Sequence, residues 1–252
     1  MYQDTTALQK IEQMDARINI IQGGARAGKT TAMIIRLCDL TFAVEDKLIS
    51  VVSDTYPNLE KGAIRDWEKL LKRTHRERYF TRNKVKHTWT NKITGTTIEF
   101  FSCEADDALG AGRDYLFINE AYRVDYKVFD QLMLRTEVMA WLDFNPVNEF
   151  WVHTEVMRKR SDWQFLKLTY RDNEGIPPAV LGELLQHRGD GTNNWWRVYG
   201  EGEIGALEGN IYSGWIADDE LPKELEFRGY GVDFGYNDPT VIIGVWENPK
   251  TK

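Results

Sequence analysis

Cysteine is nearly absent: Cys38 and Cys103 are the only two among 252 residues. That excludes a small secreted scaffold held together by disulfides. Cys38 falls in an apolar helical run and Cys103 just after a strand-like run, so both are expected to be core thiols of a reducing compartment. Long hydrophobic runs are also missing. None approaches the roughly 20 residues that cross a bilayer, and there is no secretory start, so no membrane partner is expected. Internal repeats and low-complexity stretches are not evident. Positive charge is in deficit, with a net of −7, which argues against a nucleic-acid binder coated in cations.

The charge is uneven. Residues 61–92 hold eleven Lys/Arg against three Asp/Glu, a net of +8, while the other 220 residues carry −15. The simplest reading of this block is a solvated helix face followed by a charged strand. The alternative is a local contact with a phosphate backbone or an acidic protein surface. Apolar residues make up 42% of the chain, enough for a sizeable core in one large domain or one and a half.

One stretch carries explicit chemistry. "IQGGARAGKTTAMII" contains Gly23, four residues, Gly28, Lys29 and Thr30, the G-x-x-x-x-G-K-[ST] spacing of a phosphate-binding loop. The apolar run before it reads as a buried strand and the run after it as a buried helix, the setting that the motif requires. Glycines let the backbone approach an anion closely, and the loop amides together with the helix N-terminus attract it. Residues Gly23, Gly24, Ala25, Arg26, Ala27, Gly28, Lys29, Thr30 and Thr31 are therefore the expected nucleotide cradle. Lys29 is expected to reach the β- and γ-phosphates and the Thr30 hydroxyl to hold Mg²⁺. In the empty loop the Lys29 ammonium is expected to be exposed. Arg26 reads two ways from the loop alone, as a guanidinium against the γ-phosphate or as a solvated loop arginine.

A nucleotide hydrolase also needs acidic groups at the end of a neighbouring strand. "YLFINEA" offers four apolar residues, then Asn119 and Glu120. Glu120 is the candidate general base, the other reading being a cap on the next helix. Asn119 stands where an aspartate is usual, and it can accept a hydrogen bond from a metal-bound water without adding charge. The next strand ends in "DFNP", placing Asn145 to sense the γ-phosphate; an ordinary Asn-Pro turn is the alternative. Strand-like runs at "RINIIQ", "LISVVSDT", "DYLFINEA", "VMAWLDFNP" and "WQFLKLTY" alternate with helical ones. "VKHTWT" and "TTIEFFSC" read as a hairpin. The expected fold is α/β, a mainly parallel sheet flanked by helices, with ligands at the carboxyl ends of its strands. After Tyr170 glycines cluster, and Trp195, Trp196 and Trp215 are expected to pack back on the core.

Taken in order, "GGARAGKTT", "LFINEA", "DFNP" with "EFWVH", "YRDN", "GEGEIGALEGNIYSGW" and "YGVDFGYNDP" resemble the large terminase subunits of tailed bacteriophages, from about residue 18 onward. The resemblance implies a P-loop ATPase domain over 1–170, a linker subdomain over 171–226 and, over 227–252, the start of an RNase H-like nuclease domain. It implies a motor that uses ATP and Mg²⁺ to move double-stranded DNA into a procapsid. The implied partners are a portal protein and a small terminase subunit, in an oligomeric ring on the procapsid and a monomer in isolation. The implied location is the host cell cytoplasm.

The family's loop arginine matches Arg26, and the "INEA" variant occurs within the family. Asp233 matches the first nuclease metal ligand, but a two-metal site needs further carboxylates. The chain is thus expected to be a shortened form that does not cut DNA by itself. Arg113 and Arg135 are the candidates for an arginine supplied in trans by a neighbouring subunit, a structural role being the alternative for each. Two other functions account for fewer motifs: a helicase or repair ATPase, and a nucleotide-gated assembly module without turnover.

Overall fold

The computed structural model describes residues 4–103, 112–206, 224–234 and 240–249. Two compact units divide the chain, Met1–Leu207 and Glu208–Lys252.

The first unit is built on an eight-stranded sheet. Its strands are β1 (Ile18–Gly23), β2 (Leu48–Ser53), β3 (Phe80–Asn83), β4 (Thr88–Asn91), β5 (Thr97–Ser102), β6 (Arg113–Ile118), β7 (Thr136–Phe144) and β8 (Trp163–Leu168). Their spatial order is β3-β4-β5-β2-β6-β7-β1-β8. From β5 to β8 every neighbouring pair is parallel. The central strands are buried on both faces, which is why they read as unbroken apolar runs. Ile21, Val51, Phe117 and Trp141 face one core together with Leu37, Cys38 and Trp67. Ile20, Val52, Ile118 and Leu142 face the other with Phe129 and Val152.

The first core is covered by helices α1 (Thr6–Glu12), α2 (Lys29–Ala43), α3 (Tyr56–Leu59) and α4 (Arg65–Thr74), the last two joined through a wide turn over Glu60–Ile64. Thr5 caps α1 by accepting from the Leu8 amide at 3.3 Å. The second core lies under α5 (Tyr126–Met133) and the wide-pitch turn Val152–Met157.

The basic block forms α4 and the antiparallel edge β3-β4, and its hairpin partner β5 pairs with β4 as expected. Phe80 packs inward while Thr81, Arg82 and Asn83 are exposed, and a charged edge strand resists pairing with another chain. Arg76 and Arg82 pair with Asp39 and Glu68. The block is thus largely the solvated face and charged strand that the sequence suggested.

Of the two thiols, Cys38 is buried but Cys103 is only half-buried, because it lies just past the end of β5. Beyond β8 the chain forms α6 (Pro178–Gln186) and a wide turn over Trp196–Gly200. Trp196 is buried at 2% exposure, whereas Trp195 is 36% exposed and stacks on His187. Trp215 lies outside the described residues. The second unit contains an antiparallel pair, β9 (Glu226–Asp233) and β10 (Val241–Glu247). Among the described residues no helix is long and apolar enough to cross a membrane.

Candidate nucleotide-binding site

Four parallel strands end together at one edge of the sheet. β1 delivers Gly23 and the loop, β6 delivers Asn119 and Glu120, β7 delivers Asp143 and Asn145, and β2 delivers Asp54. This is the edge where open α/β sheets bind ligands.

The loop runs from β1 into α2 with Gly28 in the left-handed region at φ 79°, which glycine adopts without strain. Its back is fixed by the segment after β8. Gly24 donates its amide to Leu168 and Ala25 to Tyr199, at 3.1 and 2.7 Å. A side chain at Gly24 would collide with the Tyr199 carbonyl. Gln22 donates to the Gly202 carbonyl at 2.8 Å, and Asn173, in the "YRDN" run, donates to the Arg26 carbonyl at 2.8 Å. A two-pronged pair between Arg171 and Glu201, both bonds 2.8 Å, ties the ends of this buttress together. The amides of Gly24 and Ala25 are therefore engaged within the protein. The first-turn amides of α2 have no intrahelical partner. Beside the loop a hollow of about 250 Å³ is lined by Thr5, Thr31, Ile35, Arg73 and Asn173.

Lys29 is not exposed. It is 8% accessible, and its ammonium donates to the carbonyls of Gly23 and Gly24 at 2.9 and 3.0 Å and to Asn145 Oδ1 at 2.6 Å. The expectation of a solvated amine fails because the loop, held from behind at Leu168 and Tyr199, closes its Gly23 and Gly24 carbonyls around the side chain. Burial pushes its pKa down to about 8, against the opposing fields of Asp143 and Glu120.

A proton-linked prediction follows. A phosphate chain against Lys29 favours the ammonium, so binding takes up a proton wherever the free amine is neutral. Affinity for ATP should fall as pH rises above about 8, by at most roughly tenfold per unit. Calorimetry in two buffers of different ionisation heat should show proton uptake near pH 8.5, absent in Lys29→Met; pH-independent affinity without uptake would contradict it. The stability sign is opposite. The unfolded chain holds more protons than the folded one between about pH 8 and the ordinary lysine value, so this group's contribution to stability grows across that window.

Glu120 takes the left-handed conformation at φ 57° at the N-cap of the turn that follows, where its carbonyl accepts from the Arg123 amide at 2.9 Å but its side chain makes no cap. Its carboxylate pairs with Arg123 at 2.8 Å. Burial raises its pKa; Arg123 works against that shift, while Asp143 and Asp54 add to it. A carboxylate with a raised pKa is a better proton acceptor. Arg26 is exposed on the loop, also at positive φ. Asn119 donates its amide to Thr30 Oγ1 at 3.2 Å and to Asp143 Oδ1 at 2.9 Å. A carboxylate only accepts, so this contact fixes which end of the amide faces it. Asn119 thus presents a donor here, not the water-accepting carbonyl expected of it.

Asp143 was not anticipated. It is buried at 2% exposure and accepts from Thr30 Oγ1 at 2.9 Å, Asn119 Nδ2 at 2.9 Å and the Glu120 amide at 2.8 Å. The available signal was an aspartate two residues before Asn145 at the end of an apolar strand.

Two further expectations meet the structure differently. Arg113 is 2% exposed and donates to Ser50 and the Leu132 carbonyl, so it cannot reach a neighbouring subunit. It begins β6, and its apolar surroundings hold its side chain inside. Arg135 is exposed. Asp233 ends β9, and among the described residues no group of three or more His, Cys, Asp or Glu side chains is placed to hold a metal.

A glycine-rich loop joining a buried strand to a helix at the carboxyl edge of a mainly parallel sheet defines the P-loop NTPase fold. No protein-family model matches the chain, and no curated protein matches it. Solved structures do. The large terminase from a thermophilic bacteriophage superposes with a TM-score of 0.68 at 18% identity, over 96% of this chain and 64% of that one. The complex of that terminase with ADP gives 0.66 at 19%, over 97% and 66%. The large terminase ATPase domain of Thermus phage P74-26 gives 0.62 at 14%, over 81% and 94%. The fold is that of the large-terminase ATPase domain, with a separate antiparallel hairpin. The chain spans 64% of the length of the thermophilic-phage terminase.

Proposed function

We propose that this chain is the ATP-hydrolysing motor of a phage DNA-packaging terminase, driving double-stranded DNA into a procapsid. The observation that carries the reading is the convergence of Lys29, Thr30, Glu120 and Asn145 at one sheet edge, with Lys29 already bonded to Asn145. The thermophilic-phage large terminase is described in complex with ADP and with ATP-γ-S, which supports a nucleotide here.

Lys29 leaves its carbonyl partners for the phosphates, and Asn145, freed of it, registers the γ-phosphate. Glu120 exchanges Arg123 for the attacking water and takes its proton. Arg26, exposed on the loop, offsets charge on the transferring phosphoryl group. The hard oxygen donors Thr30 and Asp143 suit Mg²⁺, which would neutralise phosphate charge when bound.

The boundaries of the motor, linker and nuclease portions at 170 and 226 belong to the same proposal, as do the portal, the small terminase subunit, the ring and the host cytoplasm. DNA cutting, with Asp233 as one ligand of a metal site that needs further carboxylates, belongs to the same proposal. ATP turnover stimulated by a portal-bearing procapsid, and not by a DNA fork, tests the motor reading against a helicase. No turnover under either condition would favour an assembly module.

Assembly gives a prediction. With Arg113 buried, Arg135 is the remaining trans candidate. Such an arginine elsewhere raises turnover about 10³–10⁵-fold, so activity per molecule should rise with protein concentration and Arg135→Ala should flatten that rise. Concentration-independent turnover by a sedimentation-verified monomer would leave Arg26 acting alone in cis.

A further inference from the structure

We infer that Asp143, on the strand between β6 and the loop strand, supplies the metal-side carboxylate that the end of β6 lacks. The inference rests on the nucleotide reading above and concerns how this chain holds the divalent cation of its nucleotide.

Position 119 is an amide and carries no charge. One strand over, Asp143 is nearly inaccessible and makes no ion pair among the described residues. The buried Lys29 ammonium acts on it through space only, and three hydrogen bonds offset only part of the cost of taking a carboxylate out of water. Two of its donors, Thr30 Oγ1 and the Glu120 amide, belong to the proposed metal ligand and the proposed base. Asp143 therefore joins the loop, β6 and β7 at one carboxyl group. The spacing suits a shared cation: Thr30 Oγ1 and Asp143 Oδ2 are 2.9 Å apart. Adjacent oxygens of an octahedral Mg²⁺ shell, with metal–oxygen distances of about 2.0–2.1 Å, are likewise separated by about 2.9 Å. Asn119 then has a role of its own. Its amide holds Asp143 Oδ1 at 2.9 Å, which turns Oδ2 toward Thr30. A second aspartate at 119 would set two carboxylates against each other without a donor between them.

The test uses the full chain with ATP-γ-S and Mn²⁺ in place of Mg²⁺, free Mn²⁺ being counted by electron paramagnetic resonance. Asp143→Asn should weaken Mn²⁺ binding to the protein–nucleotide complex by about tenfold or more. Nucleotide binding measured in chelator serves as the metal-free reference. The exchange Asn119→Asp with Asp143→Asn, which moves the charge across the hydrogen bond, should recover most of the loss. Unchanged Mn²⁺ affinity in Asp143→Asn, or an exchange variant no better than Asp143→Asn alone, overturns the inference. If Asp143→Asn does not fold, the parent decides. With ¹³C-labelled aspartate carboxyls, bound Mn²⁺ should show the hyperfine coupling of a carboxylate at ligand distance, and its absence overturns the inference. Nucleotide binding that is intact while Asp143→Asn keeps its metal affinity sinks this inference alone. Failure of the parent to bind nucleotide, with or without metal, removes the nucleotide reading and this inference with it.

Discussion

Lys29→Met is expected to lower ATP turnover by about 10²–10³-fold, the scale seen when one donor to a developing oxyanion is removed, while the chain keeps its melting temperature. The first half follows from chemistry, since no other described cation sits among the loop carbonyls. The second half follows from burial. A lysine whose pKa is pushed down to about 8 is disfavoured in its charged form by on the order of 3 kcal/mol. Removing that charge stabilises the folded chain. Against this, the carbonyls of Gly23 and Gly24 and the Asn145 oxygen lose a donor, at about 1 kcal/mol net for each bond where water at the sheet edge takes its place. Methionine keeps the aliphatic stem in place, so the two contributions nearly cancel. Turnover and thermal unfolding measured together check the prediction; near-parental turnover with normal stability would take the loop out of the mechanism.

Glu120→Gln is the second large effect. It keeps shape and removes the proton acceptor, a loss of roughly 10²–10⁴ in rate, while nucleotide binding persists. Binding should even tighten modestly. Burial and the neighbouring Asp143 and Asp54 already work against the Glu120 charge, and the phosphates add more negative charge to the same edge. Equilibrium binding of ATP with single-turnover hydrolysis separates the two. Equal loss of binding and hydrolysis would make Glu120 a structural residue, and full hydrolysis would assign the water to another group.

The loop was legible in the sequence because its chemistry is contiguous. Glycines, lysine and threonine at fixed spacing between a strand and a helix leave few other arrangements. The parallel sheet was legible for a related reason: strands buried on both faces, such as 48–53 and 113–118, show as solid apolar runs. What was hidden depends on distance along the chain. Asp143 meets Thr30 across 113 positions, and no local pattern announces that pairing. Lys29 is buried because the loop is held from behind by Tyr199 and Gly202, far downstream. Arg113 looks like a surface charge in "GRDYLF", but it begins a strand inside the sheet and donates to Ser50 across it. Trp195 and Trp196 read alike, yet the turn that carries them buries only one. Asn119 stands out in the sequence as an amide in an aspartate's place, but its partner Asp143 lies on the next strand.

A structure of this chain with a non-hydrolysable ATP analogue and Mg²⁺ decides whether these residues form a nucleotide site. The triphosphate should lie against the first turn of α2, with Lys29 moved off the Gly23 and Gly24 carbonyls onto the β- and γ-phosphates. The metal should lie against Thr30 and Asp143, and Glu120 should be parted from Arg123 and turned toward a water beside the γ-phosphate. A nucleotide bound elsewhere, or Lys29 still bonded to Gly23, Gly24 and Asn145 with the analogue in place, would contradict such a site.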